Sequence, residues 1–95
     1  MVELKPGQLV RSLAGRDKGI HYLVLQEIDD RYVLLVDGRR RPVSRPKKKN
    51  KAHLQHYERR VELGEPPAAA NISDSQVIKY IKDLVPAGGL SEEEV

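Results

Sequence analysis

Between residues 8 and 38 the apolar side chains come in short runs, and each run ends on residues that turn the chain. Residues 8–13, 22–28 and 31–36 carry the runs; Pro6-Gly7, the pair Gly15 and Gly19, Asp29-Asp30 and Asp37-Gly38 punctuate them. Runs of six or seven residues rich in Val, Leu, Ile and Tyr suit a pleated surface and are too short for helices. Asp29-Asp30 joins the second and third runs as a β-hairpin. A fourth strand is expected over residues 39–45, at an edge or irregular, because Pro42 has no N–H to give a ladder. Residues 46–50 read as a charged connection. His53-Leu54-Gln55 reads as a closing strand, although Leu54, Tyr57 and Val61 also have helical spacing. Short strands and tight turns predict a mainly β chain, a small antiparallel barrel over residues 1–57. With no Phe or Trp, its core must be built from Val, Leu, Ile and Tyr, so it is small.

Residues 58–72, with Gly64, Pro66, Pro67 and three alanines, read as a linker. The period then changes. Ser73 and Gln76 stand at capping-box spacing, and Val77, Ile78, Ile81, Leu84 and Val85 fall on one helical face. One short amphipathic helix is expected over residues 73–86, stopped by Pro86 and Gly88-Gly89, with a flexible acidic tail over 87–95. About three turns of helix need something to pack on. The helix either lids the barrel or docks on a protein partner.

The net charge of +3 is unevenly spread. Residues 1–60 carry 15 Lys/Arg against 7 Asp/Glu, and residues 61–95 carry 2 against 7. A basic front with an acidic tail points to a polyanionic partner for the front, or, more blandly, to charge kept for solubility. No apolar run approaches the roughly 20 residues of a membrane span, and the N-terminus lacks a signal-peptide core. The absence of cysteine excludes disulfides and a thiolate zinc site. These features predict a cytoplasmic protein with no membrane partner, a monomer when free.

The order of these segments resembles a known family. Residues 8–38 resemble a KOW motif: an apolar strand, a basic loop bracketed by glycines, then a hairpin. The wider stretch 5–55 is similar to the KOW-type large-subunit ribosomal proteins of archaea and eukaryotes. The segments that carry the resemblance are Lys5-Pro6-Gly7-Gln8-Leu9-Val10, Gly15-Arg16-Asp17-Lys18-Gly19, Ile28-Asp29-Asp30-Arg31-Tyr32-Val33-Leu34 and Val36-Asp37-Gly38-Arg39-Arg40-Arg41, with a partial match at His53-Leu54-Gln55. The resemblance implies an SH3-like barrel that binds structured RNA, usually within a ribosome, through the loop and the basic segment. Two features depart from the family. Ile20-His21-Tyr22 is bulkier than usual after the loop, and the tail is acidic, which fits a peripheral association with the ribosome.

Between residues 39 and 51 stand eight cations and no acid: Arg39, Arg40, Arg41, Arg45, Lys47, Lys48, Lys49 and Lys51. Each that meets a phosphate releases counterions, and arginine planes also stack on unpaired bases. The plain alternative is a solvated, disordered arm. Arg11, Arg16, Lys18 and Gly19 lie on or beside the first loop, whose N–H groups and cations suit a phosphate turn. This loop lacks the spacing of a P-loop. Tyr22 and Tyr32 read as core fillers rather than stacking platforms. His53 and His56 form His-x-x-His without a third ligand, a weak metal signal. His53 suits phosphate contact when protonated. No catalytic set is recognisable, so no enzyme, metal or cofactor is expected.

The sequence therefore predicts a non-enzymatic RNA-binding protein, associated with ribosomal RNA in translation. Ribosomal proteins are a further partner, met through the helix face of Val77, Ile78, Ile81 and Leu84. The alternative is a KOW-type protein-interaction module of a transcription or translation factor, with DNA binding by the arm a third reading.

Overall fold

The computed structural model describes residues 3–63 and 71–86. The expected acidic tail, and residues 64–70 of the expected linker, lie outside them. Five strands form one antiparallel sheet: β1 (Gln8–Ser12), β2 (His21–Glu27), β3 (Tyr32–Val36), β4 (Lys47–Asn50) and β5 (Leu54–Arg60). Their spatial order is β4-β3-β2-β1-β5. A single helix, α1 (Asp74–Leu84), follows.

That order forces the sheet to curl. β4 and β5 are its opposite edges, about 19 Å apart if five strands lay flat. Yet they are joined by one 3-10 turn, Lys51–His53. Asn50 and Leu54 are four residues apart, so their Cα atoms cannot be more than about 14 Å apart. The sheet therefore rolls towards a small barrel-like shape. Extra residues opposite single partners, between Val24 and Gln26 in β2 and between Gln8 and Val10 against β5, mark register shifts that sharpen the bend.

β2 is buried on both faces, which explains its unbroken run Tyr22-Leu23-Val24-Leu25. Tyr22 and Val24 face inward with Leu4, Val10, Val33, Leu35 and Leu54. Leu23 and Leu25 face outward, where Val36, Ile72 and Val77 cover them. α1 thus packs on the sheet. Its start is the expected capping box: the Ser73 hydroxyl accepts from Gln76 N at 3.2 Å, and Gln76 Oε1 accepts from Ser73 N at 2.9 Å. Val77 is fully buried, and covering such a side chain contributes about 1.5–3 kcal/mol.

Three expectations need correction. Residues 39–45 are not a strand; two successive turns replace it. The strand β4 lies instead in the lysine run read as a charged connection, because Lys47, Lys48, Lys49 and Asn50 pair with Leu35, Leu34, Val33 and Tyr32. The last strand is longer than expected, so the boundary placed at residue 57 falls inside β5, which ends at Arg60. Val61 N then donates to Gly7 O at 2.9 Å, extending the β1 side of the sheet. The strand reading holds for Leu54 and Gln55, which open β5, whereas His53 closes the 3-10 turn before it.

Candidate nucleic-acid interface

The turn after β3 is built by one carboxylate. Asp37 Oδ1 accepts from Arg39 N at 2.9 Å and Arg41 N at 2.8 Å. Asp37 N and Gly38 N in turn donate to Arg41 O, at 3.1 and 3.2 Å. Short Asp side chains readily close such turns on the backbone that follows. Gly38 has φ +79°, and a Cβ there would lie 2.6 Å from Asp74 O and 2.8 Å from an Ile78 side-chain carbon. Only glycine combines that backbone with so close an approach of the helix. Downstream, Val43 N donates to Asp74 Oδ1 at 2.7 Å, and Arg45 N to Pro42 O at 2.9 Å. The segment's N–H groups are thus used by two carboxylates and a turn, and Pro42 and Pro46 offer none, so no ladder forms. Arg39, Arg40, Arg41 and Arg45 are all exposed on this fixed frame.

The lysines behave differently. Alternation along β4 sends Lys47 and Lys49 to one side and Lys48 to the other. Lys49 Nζ lies 3.1 Å from Asp17 Oδ1 and Lys47 Nζ 3.0 Å from Asp17 Oδ2. Ser12 Oγ donates to Asp17 Oδ1 at 2.8 Å, and Tyr22 OH to Oδ2 at 2.9 Å. Burial would raise the Asp17 pKa, but the hydrogen bonds from Ser12, Lys47, Tyr22 and Lys49 outweigh it and hold the carboxyl well below the usual range. Burial first, and then the hydrogen bond to Asp17 and its charge, push the Tyr22 phenol well above its ordinary value. Lys51 pairs with Glu27, which that bond keeps low against its partial burial, aided by Leu4 N. Lys48 remains exposed, its Nζ 4.6 Å from the Tyr32 ring centre.

Of the residues expected to meet nucleic acid, Lys47, Lys49 and Lys51 are therefore bound to carboxylates that fasten the sheet. Freeing Lys49, with about 10% of its side chain exposed, would strip Asp17 of a counter-charge. Arg16 and Lys18 are exposed on the β1–β2 loop on either side of Asp17. Gly15 and Gly19, which bracket that loop, both have positive φ, as a tight turn requires. Arg11 is half-buried beside Gly19. His53 is exposed on the 3-10 turn. His21 sits 3.3 Å from the Tyr57 hydroxyl.

The helix face expected to meet a partner is largely occupied by this chain. Val77 is buried, and Ile81 and Leu84 pack against the outer cluster of the sheet. Ile78 turns to the side, over Gly38. A groove of about 500 Å³ opens there between α1, Ile20 and Arg39. Reading the sequence missed Asp17, Asp37 and Asp74 as the anchors of this surface. The signal for Asp37 was present: an Asp-Gly pair just before three arginines suggests a turn that displays them. Asp17 and Asp74 gave none, since their partners are distant in sequence.

Among the described residues no three His, Asp or Glu side chains gather as metal ligands, and no helix is long and apolar enough to cross a membrane. Comparison with known proteins returns no matching family model and no matching curated protein.

Proposed function

We propose that this chain is a non-enzymatic RNA-binding protein with an SH3-like, KOW-type barrel, acting in the cytoplasm on ribosomal RNA or another structured RNA in translation. The observation that carries the reading is the Asp37-held turn. It holds exposed Arg39, Arg40 and Arg41 at its tip, and among the described residues none of the three guanidinium groups is paired with an acid. Pre-ordering the backbone lowers the entropy lost when those arginines grip phosphates. Arg45, Lys48, Arg16, Lys18 and His53 add exposed cationic or protonatable groups on neighbouring turns and strands. The competing reading, a protein-interaction module, would give the face of Val77, Ile78, Ile81 and Leu84 to a partner, and the sheet takes Val77 and Leu84 and part of Ile81.

The test is binding to a structured RNA across a salt series. Each arginine that neutralises a phosphate contributes about 0.7–0.9 to the slope of log affinity against log salt. Replacing Arg39, Arg40 and Arg41 by Gln should therefore reduce the slope by about 2–3. In a lysate gradient the wild type should travel with large ribosomal subunits at low salt and leave them at high salt. An affinity for RNA that survives the triple replacement unchanged would overturn the mechanism.

A further inference from the structure

The groove between α1 and the Asp37 turn unites two kinds of surface. Its floor is apolar, formed by Ile20, Ile78, Ile81 and Val85. Its rim is cationic, formed by Arg39, Arg40 and Lys82, with His21 at one end and Asp37 within. On α1 and its C-cap, Ile78, Ile81, Lys82 and Val85 form one stripe at i, i+3, i+4 and i+7. That stripe borders the one that packs Val77 and Leu84 on the sheet, and Ile81 serves both. The apolar face of the helix is thus wider than its own sheet needs, and the surplus lines a recess of about 500 Å³.

We propose that this groove receives one unpaired nucleotide of the bound RNA, the base on the isoleucine floor and its flanking phosphates on Arg39, Arg40 and Lys82. The inference rests on the RNA reading above and adds an unpaired nucleotide to it. Three features fit this occupant. The recess is within the size range of small-molecule sites. The exposed cations Arg39, Arg40 and Lys82 line the same recess and suit flanking phosphates, and arginine planes stack on bases. Asp37 lines the recess, and with its Oδ1 taken by Arg39 N and Arg41 N, its Oδ2 is the oxygen left to accept a hydrogen bond from an exocyclic amino group. Adenine, cytosine and guanine carry the amino group and uracil does not, so uracil is the weakest occupant.

The test compares two labelled RNA hairpins closed by the same tightly structured UUCG tetraloop, one with a fully paired stem and one with a single-nucleotide adenine bulge in it, by fluorescence anisotropy on the full chain. The wild type should bind the bulged hairpin about tenfold more tightly, within the range for one accommodated base. A uracil bulge should lose most of that advantage. Ile78→Gln alters the floor, and Lys82→Gln alters the exposed rim with little risk to folding. Each should bring the bulged hairpin down towards the paired one while affinity for the paired one holds. Failure of the wild type to bind either RNA overturns the RNA reading itself. Equal binding of both hairpins, or a bulge preference that survives both variants, overturns the groove assignment alone. So does movement of the Ile78 and Ile81 methyl resonances with a synthetic peptide of residues 87–95 but not with the bulged RNA.

Discussion

Lys49 Nζ lies 3.1 Å from Asp17 Oδ1, joining an edge strand to a loop 32 residues earlier. The same ammonium donates to Ala14 O at 3.1 Å, so one lysine fastens both the carboxylate and the backbone of the β1–β2 loop. Ser12, Tyr22 and Lys47 complete the set, bringing β1, β2 and β4 to a single acid. Ion pair and sheet curvature thus support each other. The curl brings β4 to the loop, and Asp17 holds it there.

Asp17→Ala should be among the most damaging single substitutions. It leaves Lys49 nine-tenths buried without its counter-charge and removes the acceptor of Ser12 and Tyr22. Breaking a buried pair at one end typically costs about 3–5 kcal/mol. Urea denaturation should show a loss of about 3 kcal/mol, and a loss below about 1 kcal/mol would mean that the cluster does not clamp the barrel.

Acid should unfold the protein through the same group. A carboxyl held below its ordinary value of 3.8 stabilises the fold above that pH, and the contribution drains away as pH falls through the lowered value. The urea midpoint should fall between about pH 5 and pH 2, and Asp17→Asn should flatten that dependence. Tyr22 gives the opposite limb. Its raised phenol keeps its proton in the fold, so stability is lost as pH climbs above 10.0. Tyrosinate absorbance should show one of the four tyrosines ionising only when the chain unfolds.

Gly38→Ala should loosen the helix before the sheet. A Cβ at φ +79° lies against Asp74 O and Ile78, so α1 must retreat from the turn. A strained backbone of this kind costs about 1–3 kcal/mol. Amide exchange should quicken over residues 74–84 and 39–43, while β1 and β2 keep their protection. Equal protection in both proteins would show that the turn does not brace the helix.

Arginines and lysines of the basic stretch should separate cleanly. Arg40→Gln should weaken RNA binding and leave the melting temperature within a few degrees, as expected of an exposed site. Lys49→Met should lower the melting temperature and leave the RNA salt slope unchanged, because its charge serves Asp17. The reverse pattern would exchange the two roles.

Much of the secondary structure was legible. The first three strands and the capped helix follow from short apolar runs, turn residues and the Ser73–Gln76 spacing, all of which act over a few residues. Residues 39–51 misled for a physical reason. Eight cations within thirteen residues and no acid read as one phosphate-binding stretch, but carboxylates from elsewhere divide them. Asp37 and Asp74 take the N–H groups of Arg39, Arg41 and Val43, turning that half into loop. Asp17 and Glu27 take Lys47, Lys49 and Lys51, making the other half structural.

The sequence alone determined the strand-forming runs, the turns and the helix start, since propensity, glycine backbone freedom and capping are local. The tertiary structure decided which cations stay exposed and which face of α1 is covered. Both depend on contacts such as Lys49–Asp17 and Gly38–Ile78, made by residues 32 and 40 positions apart. No local pattern records such a pairing; it exists only once the sheet has curled and the helix has settled on it.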